Sequence, residues 1–499
     1  MKKLSKVVLF LLLCGVVLFT ANKIFKEKFV TDNRQTYMAD TLYELPENSV
    51  EVAVCGSSQI AFGVSGMELY EKYGISAYST GSPNQAILCS YGWLRELDKT
   101  QDIKVCLLDV SQMTEINRES FYRQAIDPMR LSRNKIDIVR RHLAEDENAD
   151  SLFSYICPLV KYHARWEELT RTDFCYTVED SPLYRGNFPT DYNYSFASYD
   201  NLMKTEPKTT GEKALLEDRS VEALRAIKDY CDENDIALVL FKTPKEDWTE
   251  SYQKQMRELA DELEVPLLDY ATEEGCRELG LDFYTDFKDP QHLNLRGADK
   301  LSDALGVYLT EHYDLTDFRV TNPMDDAVLE DYHAVKRKAY FKTEGDVVTY
   351  LTQLGEEYLS TGDYDVILQL TDDAVCQLWT EEMQAAFESC GFETDIASLE
   401  GKTYAAYIAG GTTEEKTGTS RELVLTGTMT NGGTLEATSI LRENRQKDAE
   451  IKAGGTSGNY TGFGLNLLLY DHTQNVIAEE CTIARCPDGV LRANFVPDR

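Results

Sequence analysis

The 499-residue chain has few basic residues for its length. Lys and Arg number 51 against 85 Asp and Glu, which leaves a formal net charge of -34. A surface this acidic repels a polyphosphate backbone, so we expect no nucleic-acid partner. Hydrophobic residues make up 42% and aromatic residues 10%, as in a folded chain rather than a disordered one. The length predicts two or three domains.

The chain also lacks the residue spacings of metal and phosphate sites. None of its 12 cysteines belongs to a CxxC motif, so the common zinc-site spacings are absent. Asp286 and Asp289 have no second carboxylate cluster with the spacing that hard cations need. The Gly-rich segments at 408–413 and 453–459 are not followed by Lys-Ser/Thr and indicate turns. We therefore expect no metal and no cofactor.

The first 30 residues form an export signal. Three lysines within the first six residues precede an uncharged apolar run over 7–21. Counted to Phe25, the segment approaches the roughly 20 residues that span a bilayer, and no small-x-small cleavage site follows. We predict an uncleaved, single-pass signal anchor over 1–30, with the bulk of the chain outside the cell membrane. Three further lysines between 23 and 28 are the evidence against that orientation.

Between residues 50 and 312, short apolar runs alternate with amphipathic stretches. This alternation predicts an α/β fold, an open parallel sheet with helices on both faces. The domain is placed at 31–318, with an insertion at about 113–207, and a linker follows at 319–345. The predicted strands are 50–55, 103–110, 236–242 and 265–269, and the predicted helices are 84–99, 213–233, 247–264 and 297–312.

Two short segments carry the residues for nucleophilic chemistry. In "VAVCGSSQ" a serine pair, Ser57 and Ser58, follows the first predicted strand, at the sheet edge where ligands bind. In "DPQHLN" Asp289 and His292 precede the last helix, and none of the other five histidines has an Asp-x-x-His context. A serine hydroxyl needs a positioned base such as an imidazole oriented by a carboxylate. The alternatives are that the serines form only a turn and that Asp289 caps the helix near Arg296.

The two segments together resemble the first and last blocks of the SGNH (GDSL-like) hydrolase superfamily, over about residues 45–315. The nearer likeness is to its membrane-anchored branch, which includes alginate O-acetylation proteins and a protein of D-alanyl-lipoteichoic acid synthesis. The resemblance implies that Ser58 is the nucleophile, with Ser57 in place of the usual Asp. It also implies that His292 is the general base and Asp289 its orienting carboxylate.

The same resemblance implies an oxyanion hole that is only partly matched. Gly81 of "YSTGSPNQ" stands where the superfamily offers a glycine N–H, and the Ser58 N–H is the second donor. The third block, "LLDVSQM" at 107–113, has no asparagine where many members have one. Asn84 is a substitute donor, or it caps the helix predicted to begin there.

A serine esterase or O-acyltransferase is the function that the resemblance implies. An acyl-Ser58 intermediate would deliver its acyl group to water or to a sugar hydroxyl. The implied partners are an acyl donor, a cell-surface or exported polysaccharide as acceptor, and an integral-membrane acyltransferase. The rival hypothesis is a non-catalytic surface protein that binds glycan on a degenerate scaffold, and the missing asparagine favours it.

The remaining residues, 346–499, have a different composition. They are rich in Gly and Thr, with strand patterns at 404–409, 422–426 and 464–471 and a helical pattern in "TEEMQAAFESCG". We predict a separate, smaller α+β or β-sandwich-like accessory domain. Phrases such as "GFGLNLLLYD" resemble the lectin-like domain of the interleukin-like EMT inducer family, although the order of segments is reversed. Carbohydrate binding and a module without a ligand both stay open.

Overall fold

The structure is a computed structural model that describes ten ranges of the chain. These are residues 2–28, 35–114, 118–146, 149–175, 184–194, 198–202, 215–245, 248–440, 449–458 and 463–496. The ends of the predicted anchor, the first two residues of the helix predicted at 213–233, and parts of the insertion lie outside these ranges.

The chain is divided into two compact units, and the position of the division differs from that of the predicted linker. The first unit comprises Met1–Pro189, Leu202–Leu281 and Pro290–His333, and the second comprises Thr190–Asn201, Asp282–Asp289 and Ala334–Arg499. Most of the segment predicted as a linker is helical, and the division falls inside that helix. The spacing of apolar residues in "DAVLEDYHAVKRKAYF" is typical of a helix, and the prediction of a linker did not use it.

A five-stranded parallel sheet with the order β2-β1-β3-β4-β5 forms the centre of the first unit. This confirms the predicted α/β class. The four predicted strands are present, and β2 was missed because its three residues are too short to produce a pattern. The strands are β1 (Val52–Cys55), β2 (Ala77–Ser79), β3 (Val105–Asp109), β4 (Ala237–Lys242) and β5 (Leu267–Asp269).

Helices of the first unit pack beside this sheet, and the described residues of the insertion form helices and turns. Alternate strand residues such as Ala53, Cys106 and Leu238 share one core with apolar side chains of the helices Ile87–Leu97 and Asp218–Glu233. The strand residues between them, such as Val52, Leu107 and Val239, are also buried. In chain order the helices are α1 (Lys2–Phe25), α2 (Gln35–Glu44), α3 (Ser58–Gly63), α4 (Gly66–Tyr73), α5 (Ile87–Leu97), α6 (Glu119–Ile126), α7 (Arg133–Glu145), α8 (Leu152–Ile156), α9 (Leu159–Tyr162), α10 (Arg171–Phe174), α11 (Tyr199–Leu202), α12 (Asp218–Glu233), α13 (Glu250–Glu262), α14 (Glu273–Glu278), α15 (Leu295–His312), α16 (Phe318–Thr321) and α17 (Asp326–Glu344).

The N-terminal helix α1 is long and apolar enough to cross a membrane. Its stretch Ser5–Phe25 has a mean hydropathy of 2.3 and none of its most apolar window is buried. Its length and composition are those of a membrane anchor or a signal sequence.

The second unit contains two antiparallel sheets, in agreement with the predicted β-rich C-terminal region. A six-stranded sheet has the order β10-β9-β8-β15-β16-β17, and a four-stranded sheet has the order β11-β12-β13-β14. One core lies between the two sheets, and another lies between the larger sheet and its helices. After the short strands β6 (Phe287–Asp289) and β7 (His292–Leu293), the elements are β8 (Tyr364–Leu370), β9 (Thr403–Ala409), β10 (Thr412–Gly418), β11 (Glu422–Thr428), β12 (Thr434–Ile440), β13 (Glu450–Ala453), β14 (Thr456–Ser457), β15 (Leu465–Asp471), β16 (Val476–Arg485), β17 (Leu491–Phe495), α18 (Val347–Gln353), α19 (Ala374–Leu378) and α20 (Glu381–Ser389).

Candidate active site

The serine pair lies where the first strand of the sheet passes into a helix. β1 ends at Cys55, Ser57 is the N-cap of α3, and Ser58 is the first residue of that helix. The Ser57 hydroxyl accepts a hydrogen bond from the Gln59 N–H, so Ser57 has a capping role. A residue at the first helical position has no intrahelical partner for its N–H. The role of the Ser58 N–H as an oxyanion donor stays a prediction.

Ser58 and His292 are 234 residues apart in sequence and in direct contact in the structure. The distance from Ser58 Oγ to His292 Nε2 is 2.8 Å, and the contact is partly buried. In the tautomer with its proton on Nδ1, the imidazole accepts the hydroxyl proton at Nε2. This is the arrangement of a nucleophile and its general base. The structure thus brings together two of the three predicted catalytic side chains.

Gln59 connects three elements around this contact. Its Nε2 donates to the carbonyl of Gln291 at 2.6 Å, and its Oε1 accepts from the Thr243 hydroxyl, just after β4, at 2.7 Å. Phe62, one helical turn after Ser58, presents its ring to His292 with the ring centroids 5.1 Å apart. These contacts hold the histidine loop against α3. Gln59 was missed from sequence, although a polar residue heading the apolar run "SQIAFG" was a usable signal.

Gly56 is required for close packing beneath the nucleophile. A Cβ at this position would lie 2.8 Å from Asp109 Cβ and 3.1 Å from Ile60 Cγ2. Asp109, at the end of β3, is fully buried and accepts a hydrogen bond from the Ser111 hydroxyl at 2.8 Å. Burial raises the pKa of Asp109, and the positive charge of Lys242 opposes that rise. Burial also lowers the pKa of Lys242 to about 8.

The third block has no asparagine, and its Asp109 is buried in electrostatic interaction with the buried Lys242. After Asp109 the chain forms a 3₁₀ turn over Ser111–Thr114, in which Ser111 and Gln112 are buried. The backbone carbonyl of Gln112 accepts a hydrogen bond from the Ser220 hydroxyl at 3.1 Å. The turn is therefore anchored to α12.

Gly81 packs directly on the nucleophile turn. A Cβ on Gly81 would lie 2.5 Å from the Ser57 carbonyl oxygen and 3.0 Å from the Ala61 nitrogen. A parallel bridge joins Ser57 to Ser82, and Gln35 Nε2 donates to the Gly81 carbonyl at 2.9 Å. Only a glycine permits this approach, and the role of the Gly81 N–H as an oxyanion donor stays a prediction.

Asn84 does not cap a helix. Helix α5 begins at Ile87, its N-cap is Ala86, and no side chain bonds to that cap. Asn84 lies in the preceding turn with a positive φ of 43°, a conformation that asparagine tolerates better than most residues. The capping alternative for Asn84 was wrong because the helix starts later than its pattern suggested. Its part in the oxyanion hole stays a prediction.

Asp289 is likewise not the cap of the last helix. Helix α15 begins at Leu295, and its N-cap is Asn294, whose Oδ1 accepts from the N–H groups of Arg296 at 3.0 Å and Gly297 at 3.3 Å. Asp289 ends β6 in the second unit, where its Oδ2 lies 3.6 Å from Lys288 Nζ. The orienting role of Asp289 stays a prediction, with its capping alternative removed.

In the second unit, residues of "GLNLLLYD" have structural roles. The Asn466 amide donates to Thr371 Oγ1 at 3.1 Å, and its carbonyl oxygen accepts from Thr482 Oγ1 at 2.7 Å. Asp471 accepts from the N–H groups of Thr473 and Gln474 at the end of β15. Among the described residues of the whole chain, no group of three or more His, Cys, Asp and Glu side chains could hold a metal ion.

Comparison with known proteins gives matches only among solved structures. No family model and no curated protein matches the chain. A GDSL-like lipase from Bacteroides thetaiotaomicron covers 56% of this chain and 98% of its own, with 9% identity and a TM-score of 0.28. A Bacteroides fragilis protein assigned as an acylhydrolase covers 55% and 94%, with 12% identity and a TM-score of 0.27. A Desulfitobacterium hafniense protein assigned to the G-D-S-L family of lipolytic proteins covers 52% and 98%, with 10% identity and a TM-score of 0.26. Likeness at these values carries no argument about activity.

Proposed function

We propose that the chain is a membrane-anchored serine esterase or O-acyltransferase that works through an acyl-Ser58 intermediate. The observation that carries the proposal is the 2.8 Å contact between Ser58 Oγ and His292 Nε2 at the carboxyl edge of the parallel sheet. Ligands of open α/β sheets bind at this edge. A hydroxyl in hydrogen-bond contact with an imidazole there is ready to attack an acyl carbonyl.

The first half-reaction moves one acyl group onto the serine. Ser58 Oγ attacks the carbonyl carbon of an ester while His292 Nε2 takes the hydroxyl proton. The Ser58 and Gly81 N–H groups donate to the oxygen that becomes negative in the tetrahedral intermediate. The C–O bond to the leaving alcohol then breaks, and His292 returns the proton to that alcohol. Asp289 holds the imidazole in the required tautomer in this proposal.

The second half-reaction decides between the two activities. Water or a sugar hydroxyl attacks the acyl-Ser58 carbonyl, with His292 again taking and returning one proton. Attack by water gives a free acid, and attack by a sugar gives an O-acylated glycan. The likeness of "GSSQ" and "DPQHLN" to the membrane-anchored SGNH branch favours a cell-surface or exported polysaccharide. An integral-membrane acyltransferase would supply the acyl group.

Contacts of Lys28 support an orientation with the bulk of the chain outside the membrane. Lys28 Nζ donates to the carbonyls of Lys23 and Ile24 at 2.9 and 3.1 Å and lies 3.6 Å from Asp173. Lys28 is therefore a buried cap of α1 that is paired with a carboxylate. Its charge carries little weight as an inside signal, whereas the lysines at the start of the chain have the position of cytoplasmic residues.

The test measures ester turnover by the full-length protein in detergent. The unmodified chain should release acetate from a small acetyl ester, and His292→Ala and Ser58→Ala should each lower the rate by at least about 10³-fold. Ser57→Gly is the matched control because glycine is a tolerated N-cap and the change costs only a few tenths of a kcal/mol. Equal rates in the unmodified protein and Ser58→Ala would favour the non-catalytic alternative. Adding polysaccharide then distinguishes free acetate from sugar ester.

A further inference from the structure

Three large aromatic side chains in the insertion face solvent. Phe153 of α8, Trp166 of the 3₁₀ turn after α9, and Phe174 of α10 are 62%, 65% and 60% exposed. Outside α1, the part of the chain that the structure describes has only one other exposed Phe or Trp, Phe463. Exposed large apolar side chains that are grouped in one segment indicate an interaction surface.

The same segment is bound to the end of α1. The Leu159 N–H donates to Asn22 Oδ1 at 2.9 Å, and Arg165 Nη1 donates to the Phe25 carbonyl at 3.0 Å. Arg165 also pairs with Glu27 at 2.8 Å, and Asp173 lies 3.6 Å from Lys28. The insertion thus contacts the chain at Asn22, Phe25, Glu27 and Lys28.

Three exposed apolar residues of this segment are sequence neighbours of residues that contact the end of α1 or Lys28 just after it. Val160, which is 44% exposed, follows Leu159, Trp166 follows Arg165, and Phe174 follows Asp173. Adjacent Cα atoms are about 3.8 Å apart. The Cα atoms of Val160, Trp166 and Phe174 therefore lie about 3.8 Å from the Cα atoms of residues that contact the end of α1 or Lys28.

The length of α1 places the exposed apolar residues of the insertion at the level of the bilayer surface. A helix rises about 1.5 Å per residue, so the uncharged run 7–22 covers about 24 Å. The hydrocarbon core is about 30 Å thick, with roughly 5 to 7 Å of headgroup region on each side. A bilayer around this run must therefore reach the level of Asn22 and Phe25, where the insertion is bound. Trp and other aromatic side chains are favoured at that depth.

We propose that Phe153, Ile156, Val160, Trp166 and Phe174 form a membrane-interface surface that dips into the same bilayer that α1 crosses. This rests on α1 being the membrane anchor of the proposed function. The segment 149–175 contains three basic and four acidic residues, so apolar insertion rather than attraction to anionic lipid drives the contact. The surface would hold the first unit at a fixed height above the membrane.

Tryptophan quenching by brominated lipid tests the proposal on the full-length protein. Of the four tryptophans, Trp166 is exposed, whereas Trp93, Trp248 and Trp379 are buried, and α1 has none. In phosphatidylcholine vesicles brominated near the headgroup end of the acyl chain, part of the emission should be quenched. Trp166→Phe should abolish that quenching. Bromine near the chain terminus should quench Trp166 less, because the ring lies at the interface.

A matched control places a tryptophan at an exposed position elsewhere in the same unit. Val320, on α16, is 79% exposed and its helix packs on α4. Val320→Trp in the Trp166→Phe background should remain unquenched, and quenching there would overturn the proposal. Co-flotation with the vesicles reports whether α1 is inserted. If the protein floats with the vesicles but quenching is identical in the unmodified protein and Trp166→Phe, the proposal is overturned. Reactivity of Ser58 is measured separately, so that failure of this proposal is distinguished from failure of the proposed function.

Discussion

Gly81→Ala is expected to slow acylation of Ser58 by about 10- to 10²-fold without unfolding the chain. The added Cβ would lie 2.5 Å from the Ser57 carbonyl oxygen and 2.8 Å from Ile60 Cγ1. Real Cβ contacts are essentially never closer than 3.0 Å, so the nucleophile turn or the Gly81 loop must move by about 0.5 Å. Catalytic groups must be held within about 0.5 Å of the productive geometry, and a misplacement of about 1 Å costs about 10²-fold in rate, so a shift of about 0.5 Å or more is expected to slow the reaction.

The assay compares initial rates of labelling by a fluorophosphonate, with thermal unfolding followed in parallel. Gly63→Ala is the matched control because Gly63 lies in α3, the helix that begins with Ser58. A Cβ on Gly63 would have its nearest contact at 3.7 Å, with Leu301 Cδ2. Its labelling rate should remain within about twofold of the unmodified protein, since ordinary van der Waals contact requires no shift. An unchanged rate in Gly81→Ala, or an equal loss in Gly63→Ala, would refute the placement of Gly81 against the nucleophile.

Three further substitutions test how the site is held. Asn294→Ala removes both bonds from the N-cap of α15 and should lower the free energy of unfolding by about 1 kcal/mol, whereas Asn294→Asp should not; a thermal midpoint unchanged in both would contradict this. Asp289→Asn should lower kcat for an acetyl ester by about 10²- to 10⁴-fold if Asp289 orients the imidazole, and a kcat within twofold would remove Asp289 from the mechanism. Burial alone would raise the pKa of Glu51, just before β1, but hydrogen bonds from Lys104 and Thr316 lower it below its ordinary value. Because that pKa is depressed in the folded state, the stabilisation is present above the unfolded pKa and is lost as pH falls through the folded one. Glu51→Gln should therefore cost about 1 to 2 kcal/mol at pH 7 and less near pH 3, and a difference that grows on acidification would contradict the sign.

The alternating pattern was sufficient to predict the sheet, whereas the serine-histidine pair was predicted from the segments "GSSQ" and "DPQHLN" and their resemblance to the SGNH blocks. Continuous apolar runs such as 103–110 are typical of strands buried on both faces, and β3 lies within that range. Ser58 follows the predicted strand 50–55 and His292 precedes the predicted helix 297–312, so both residues could be assigned to the ends of elements of the same domain. The contact itself depends on topology, since the two residues are 234 positions apart.

Features that depend on long-range packing could not be predicted from the sequence. β2 is three residues long and exists because it pairs with β1 at an edge of the sheet. The positioning role of Gln59 requires Thr243 and the Gln291 carbonyl, which only the fold brings to it. The helical character of 326–344 was readable from its periodicity, but the position where the two units divide was not.

The most direct test of the central claim is the mass of the peptide containing Ser58 after the folded, full-length protein reacts with a fluorophosphonate. We predict a covalent adduct on Ser58 that forms in Ser57→Gly and is absent from Ser58→Ala and from the heat-unfolded chain. Absence of any adduct in the folded protein, or the same labelling in Ser58→Ala, would contradict the claim that Ser58 is a nucleophile activated by His292.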